Sequence, residues 1–286
     1  MTQLPAIEAE RASPLAEPLA VARRRSALAE HWQAFWAAVQ FLTSVRVPAR
    51  FLATTDDEGA RLRLATIYFP LVGSLVGLTT STIVWLTSHV WPVWLAVLFG
   101  LAAEAVLTGA LHEDALADCC DALGGGWTRA DVLRILDDSR LGSYGVLGLI
   151  VAFLLRAGAI ASLDADLLLP AVVASATLGR WAMVLAMAWL APVPERPSLA
   201  QQVGRQTFRV HVLRGALMAL TGSIPLAILL PARFALSIAL ILAGTAWFLS
   251  YLRRRLGGIT GDAVGAVCYV SQIVVLLCAS LLWLGR

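Results

Sequence analysis

The chain has 286 residues, of which 59% are hydrophobic and only 14% charged. Soluble globular domains lie nearer about 45–50% apolar and about 25% charged, so both departures exclude an ordinary soluble fold and favour a helical bundle in a bilayer. Every one of the 22 basic residues is arginine, and they are spread through loops rather than massed on one face. A nucleic-acid partner is therefore not expected, despite a net charge of +3.

Residues 1–30 hold Pro, Ala, Glu and the run Arg23-Arg24-Arg25 without an apolar core. This is not a secretory signal, and it reads as a disordered cytoplasmic tail ahead of one membrane domain over 31–286. Leu28, Trp32, Phe35, Trp36, Val39 and Leu42 then recur at helical spacing. They predict an N-terminal amphipathic helix, either lying in the membrane interface or packed on the cytoplasmic end of the bundle.

Crossing the hydrocarbon core takes about 20 apolar residues. Seven stretches qualify: 67–91, 93–111, 144–163, 167–191, 212–231, 234–252 and 263–285. The expected fold is an all-α integral membrane protein, a bundle of about seven transmembrane helices. With strict alternation, every arginine except Arg156, Arg180, Arg233 and Arg286 falls on the N-terminal side. The positive-inside rule makes that side cytoplasmic. The longer loops, 112–143, 192–211 and 253–262, share it, so any chemistry is expected there. Cys119, Cys120, Cys268 and Cys278 lack disulfide or zinc spacing and read as small apolar residues.

Asp114, Asp118 and Asp121 stand at i, i+4 and i+7 among small and apolar neighbours. On a helix they form one stripe, and three like charges on one face repel. Buried carboxylates need counter-charge, and oxygen-only donors favour magnesium over zinc. His112 and Glu113 lie off this stripe. Thr128 is a plausible N-cap with Asp131 at N3. Asp137-Asp138-Ser139-Arg140 brings acid, hydroxyl and guanidinium into one turn, and arginine forks match phosphate oxygens. Residues 257–262 combine glycines with Asp262 at a helix start, which suits either an anion site or a simple cap. Glu104, Arg156 and Arg180 fall inside spans, where charge is costly and is paired or functional; a Glu104–Arg156 pair is one option.

Several motifs in order resemble the cobalamin synthase (adenosylcobinamide-GDP ribazoletransferase) family over roughly residues 35–285. They are Phe41-Leu42-Thr43 with Pro48, the 69–73 block, Leu111-His112-Glu113-Asp114 continuing through Asp118 and Asp121, the 138–142 block, Arg180-Trp181 and Thr260-Gly261-Asp262. Ala115 and Ala122 stand where the family usually has Gly. The resemblance implies a transferase of cobalamin biosynthesis in the bacterial cytoplasmic (inner) membrane. The 3′-hydroxyl of α-ribazole, or of its 5′-phosphate, attacks the aminopropanol phosphate of adenosylcobinamide-GDP, and GMP leaves. It implies Mg2+ as cofactor, at Asp114, Asp118 and Asp121. Asp138, as ligand or base, and Arg140 become catalytic candidates. His112, Ser139, Arg180 and Asp262 become substrate-binding candidates. Oligomeric state is left open, a homo-oligomer among the options. The rival readings are a CDP-alcohol phosphotransferase-like enzyme and a cation transporter.

Overall fold

The computed structural model describes residues 16–52, 58–195 and 208–282. Helix α1 spans Ala16–Leu42, so helix begins inside the segment read as a tail. Among its described side chains the fully buried ones are Ala34, Ala38 and Leu42, one stripe at four-residue spacing, while Leu28 and Trp32 face outward. The apolar residues of α1 are thus divided between two faces. One edge packs on the bundle, and the other carries aromatic rings outward. Trp36 stacks on Phe51, with centroids 5.3 Å apart.

The remaining helices follow: α2 Glu58–Ala65, α3 Phe69–Ser88, α4 Val93–Thr108, α5 Leu111–Gly125, α6 Arg129–Leu136, α7 Ser143–Ala161, α8 Ala165–Trp189, α9 Phe208–Leu229, α10 Pro231–Arg255 and α11 Gly261–Ala279. Six described segments are long and apolar enough to cross a membrane: 61–88 and helices α7 to α11. The bent pair α4 and α5 makes a seventh if counted as one span. Burial ranks them. The α11 span is 78% buried and α8 67%, against 28% for α7, α9 and α10. So α8 and α11 form the axis, and the other three face lipid. Gly73 and Gly77 of α3 allow close approach to α8. A Cβ at Gly73 would run into the Ala176 carbonyl, and one at Gly77 would crowd Val173. This is small-residue packing in a bilayer.

One expected span does not run straight. The stretch 93–111 stops as helix at Thr108 and turns by 89° before α5 begins. The turn is made by two left-handed residues, Gly109 at φ 65° and Ala110 at φ 54°. Alanine in that region costs roughly 1–2 kcal/mol. The corner is held from outside, since the Ser44 amide donates to the Leu107 carbonyl at 2.7 Å. A Cβ at Gly109 would press on Ser44 Oγ. The motif around Phe41 therefore clamps the corner that aims α5.

Among the described residues there is no strand, only a single parallel bridge between Pro192 and Ile259. The Val193 amide donates to the Ile259 carbonyl (3.0 Å), and the Ile259 amide to the Ala191 carbonyl (2.8 Å). This ties the end of α8 to the start of α11, the helix that packs on α5.

Candidate active site

Helix α5 lies between α11 and α7, and the aspartate stripe is shared between them. At its N-terminal end, Asp114 lines a cavity of about 220 Å³ together with His112 and Ala115 of α5, Gly261, Asp262 and Gly265 of α11, Met183 and Met187 of α8, and Phe41 of α1. Asp114 is exposed and Asp118 half-buried. His112 is 2% exposed, and its Nε2 has no hydrogen-bond partner among the described residues. The N-cap of α11 is Thr260, whose hydroxyl accepts from the Ala263 amide at 3.2 Å. Asp262 therefore stands inside the first turn, on the cavity wall, and is not the cap.

At the other end, Asp121 turns to α7. Its Oδ2 accepts from the Gly142 amide at 2.7 Å and its Oδ1 from the Gly145 amide at 2.8 Å. A buried carboxylate is thereby stabilised by the positive end of a helix. The contact requires glycine: a Cβ at Gly142 or Gly145 would collide with the Asp121 carboxylate. Asp114 and Asp121 are separated by about 10 Å along the axis at about 1.5 Å per residue. The structure thus brings Asp114 to Asp262 and His112, and it brings Asp121 to the 142–145 turn. Among the described residues, no three His, Cys, Asp or Glu side chains are gathered closely enough to hold a metal ion.

The 137–142 turn follows α6, whose start carries the expected capping box: the Asp131 amide donates to Thr128 Oγ1, and Asp131 Oδ2 accepts from the Thr128 amide. Asp138 is clasped by Arg140, with Nη2 2.6 Å from Oδ2 and Nε 2.9 Å from Oδ1. Those side-chain hydrogen bonds, with the Arg140 amide, hold the Asp138 carboxyl at about 2. The same pairing raises Arg140. A carboxylate held that low is a weak base at neutral pH. Ser139 is exposed beside them, and Arg140 is 87% exposed at the rim.

Arg180 lies elsewhere. It is fully buried, on the α8 face that also carries the cavity residues Met183 and Met187. Its Nη1 lies 3.4 Å from the Ala176 carbonyl, and its Nε and Nη2 have no partner among the described residues. Arg156 pairs with Glu104 at 2.8 Å, as one sequence option held, and also comes within 3.7 Å of Glu113.

Met183, Met187 and Gly265 are cavity residues that the motifs alone do not single out. The two methionines follow Arg180 by three and seven residues, a spacing that puts them on its face. Ala115, where a Gly was expected, is explained by its partner. It faces Gly265, where a Cβ would strike the Ala115 Cβ. The α5–α11 contact has room for one methyl at this level, and Ala115 supplies it.

Oxygen donors on two helices facing one cavity suit a hard divalent ion, which is commonly held by one or two carboxylates together with substrate phosphates.

The comparisons agree with one another. The cobalamin-5-phosphate synthase family profile matches residues 34–280. The adenosylcobinamide-GDP ribazoletransferase of Ralstonia pickettii is 36% identical over 256 residues, covering 88% of this chain and 96% of the relative. The enzyme of the same name from Ralstonia nicotianae is 37% identical over 259 residues with the same coverage, and that of Shewanella baltica 34% over 249, covering 84% and 90%. No solved structure matches. With a profile spanning nearly the whole described bundle and relatives aligned almost end to end, the chain belongs to the cobalamin-5-phosphate synthase family.

Proposed function

We propose that this protein joins α-ribazole, or its 5′-phosphate, to adenosylcobinamide-GDP with release of GMP, at the cytoplasmic face of a bacterial inner membrane. The relatives' names supply the reaction. The observation that carries the site is the cavity where Asp114 of α5 and Asp262 of α11 face each other beside buried His112.

In this reaction the ribose 3′-hydroxyl oxygen bonds to the phosphorus on the aminopropanol arm. The bond from that phosphorus to the GMP oxygen breaks, and GMP keeps the electron pair. The hydroxyl proton passes to a cavity carboxylate or to water. Asp114 and Asp118, one turn apart, are the magnesium ligands of this reading, with Asp262 completing the wall. When bound, the ion neutralises the diphosphate oxygens. Asp121 acts differently. It anchors the 142–145 turn and so positions Arg140 at the rim. Asp138, kept ionised by Arg140, braces that turn instead of taking the proton. Arg140 offers outward donors to the diphosphate, while Arg180 adds positive charge from its buried place on α8. The distribution of arginines supports the sidedness.

The test is GMP release from adenosylcobinamide-GDP by purified protein with α-ribazole, with and without magnesium. Release that persists in chelator sinks the metal part, and no release at any magnesium concentration sinks the reaction.

A further inference from the structure

Behind the aspartates, α5 borders a second space. A cavity of about 360 Å³ lies between α5, α10 and α11. Leu116, Cys119 and Leu123 form its floor, and they fall on the opposite side of α5 from the acid stripe. The walls are apolar except for Thr245 and Ser271. The cavity opens towards lipid, because Trp247 and Val270 on its rim are 71% and 47% exposed.

What lies above the cavity says what fills it. Trp247, Tyr251 and Arg254 stand at i, i+4 and i+7, on one face of α10. The Trp247 and Tyr251 rings stack with centroids 6.3 Å apart and planes at 16°. Such rings mark headgroup level. Arg253 and Arg254 are exposed at the helix end, and neither has an ion pair among the described residues. Trp247 to Arg254 is a rise of about 10 Å at about 1.5 Å per residue. An apolar slot, an aromatic collar and a free cation pair thus follow one another along the membrane normal. That is the order of tail, glycerol and phosphate in a phospholipid.

We propose that this groove binds one anionic phospholipid, with an acyl chain in the cavity and the phosphate at Arg253 and Arg254. The seated chain supports α5 from behind and so steadies the helix that carries Asp114 and Asp118. A zwitterionic lipid fits the slot equally but gains less from the two cations.

The test uses the full chain, reconstituted with phosphatidylglycerol or phosphatidylcholine, washed in detergent and weighed by native mass spectrometry. Two variants separate tail from headgroup. Gly244→Trp fills the cavity from a position where a Cβ meets no atom within 4 Å. Arg253→Gln with Arg254→Gln removes the cations. Circular dichroism checks that each is folded, and Gly244→Leu replaces the larger variant if that one unfolds. Wild type should retain one phosphatidylglycerol in preference to phosphatidylcholine. The cation variant should retain it on the order of tenfold less, and the filled variant should lose it. Equal retention of both lipids overturns the proposal. So does unchanged binding in the filled variant, which would mean headgroup attraction at the surface only. A wild-type dimer that Gly244→Trp turns into lipid-free monomer would give the groove to a second copy and also overturn it.

Discussion

Arg156 holds Glu104 through a single nitrogen: Nη2 lies 2.8 Å from both carboxylate oxygens, and the same nitrogen reaches Gln272 Oε1 at 2.9 Å. Thr80 donates to the same carboxylate at 2.8 Å. Four helices, α3, α4, α7 and α11, meet at one charge pair in the interior. Glu104→Ala should therefore strand a buried guanidinium at a cost of about 3–5 kcal/mol, read as a fall in the melting temperature of the detergent-solubilised protein. Glu104→Leu combined with Arg156→Met should recover much of it. A single variant that melts with wild type would mean the pair holds nothing.

Asp121 predicts a contrast between two glycines of one helix. Gly145→Ala drives a methyl into the Asp121 carboxylate and the Ala117 carbonyl, whereas a Cβ at Gly158 meets nothing within 4 Å. The first should lose about 1–3 kcal/mol through overpacking, together with activity. The second should be neutral or gain up to about 1 kcal/mol from reduced chain entropy. Equal melting of the two variants would remove the anchoring role of Asp121.

The pairing of Asp138 fixes a pH response. Its folded pKa, about 2, lies below the ordinary carboxylate value. The contribution of the pair is thus complete above the unfolded value near 4 and is lost as pH falls towards 2. Activity should show no acid limb from Asp138 between pH 5 and 7 (a range set by about one unit above the unfolded value). Arg140→Gln should move the carbon-13 titration of the Asp138 carboxyl upward towards the ordinary value. A midpoint unmoved by that change would break the link.

Some of this was legible in the sequence and some was not, for physical reasons. Glu104 and Arg156 stood out because charge inside an apolar span demands a partner. The Thr128–Asp131 cap is local, so four residues determine it. The corner at Gly109–Ala110 did not stand out, because the 93–111 run is almost wholly apolar and alanine does not announce a positive φ. The bend rests on Ser44, from a distant segment, reaching Leu107. The stripe itself was legible, but not its division, since the direction of each acid depends on which helix packs at that end of α5. Asp138 reads as a base from its neighbours in sequence, and only the fold of the turn wraps Arg140 around it.

If the proposed magnesium reading holds, Asp114→Asn and Asp118→Asn should raise the magnesium concentration needed for half-maximal GMP release by at least about tenfold, the loss expected when a ligand or its direct support is removed. Asp262→Asn should show a smaller shift of the same sign. A wild-type magnesium profile in Asp118→Asn would take that residue out of the site.

The contact between Ala115 and Gly265 makes a reciprocal prediction. A Cβ at Gly265 strikes the Ala115 Cβ, so the α5–α11 interface has room for one methyl at this level. Gly265→Ala should push the helices apart beside Asp114 and Asp262, costing about 1–3 kcal/mol and lowering kcat, because both carboxylates move. Ala115→Gly alone should melt slightly earlier, since it removes a buried methyl and adds a glycine to a helix interior. The double variant, Ala115→Gly with Gly265→Ala, returns the methyl to the same space from the opposite helix. Its melting temperature and kcat should recover most of the loss, as expected for touching residues whose effects are not additive. If the double variant is instead as impaired as the sum of the two single ones, the residues do not share that space and the account of Ala115 fails.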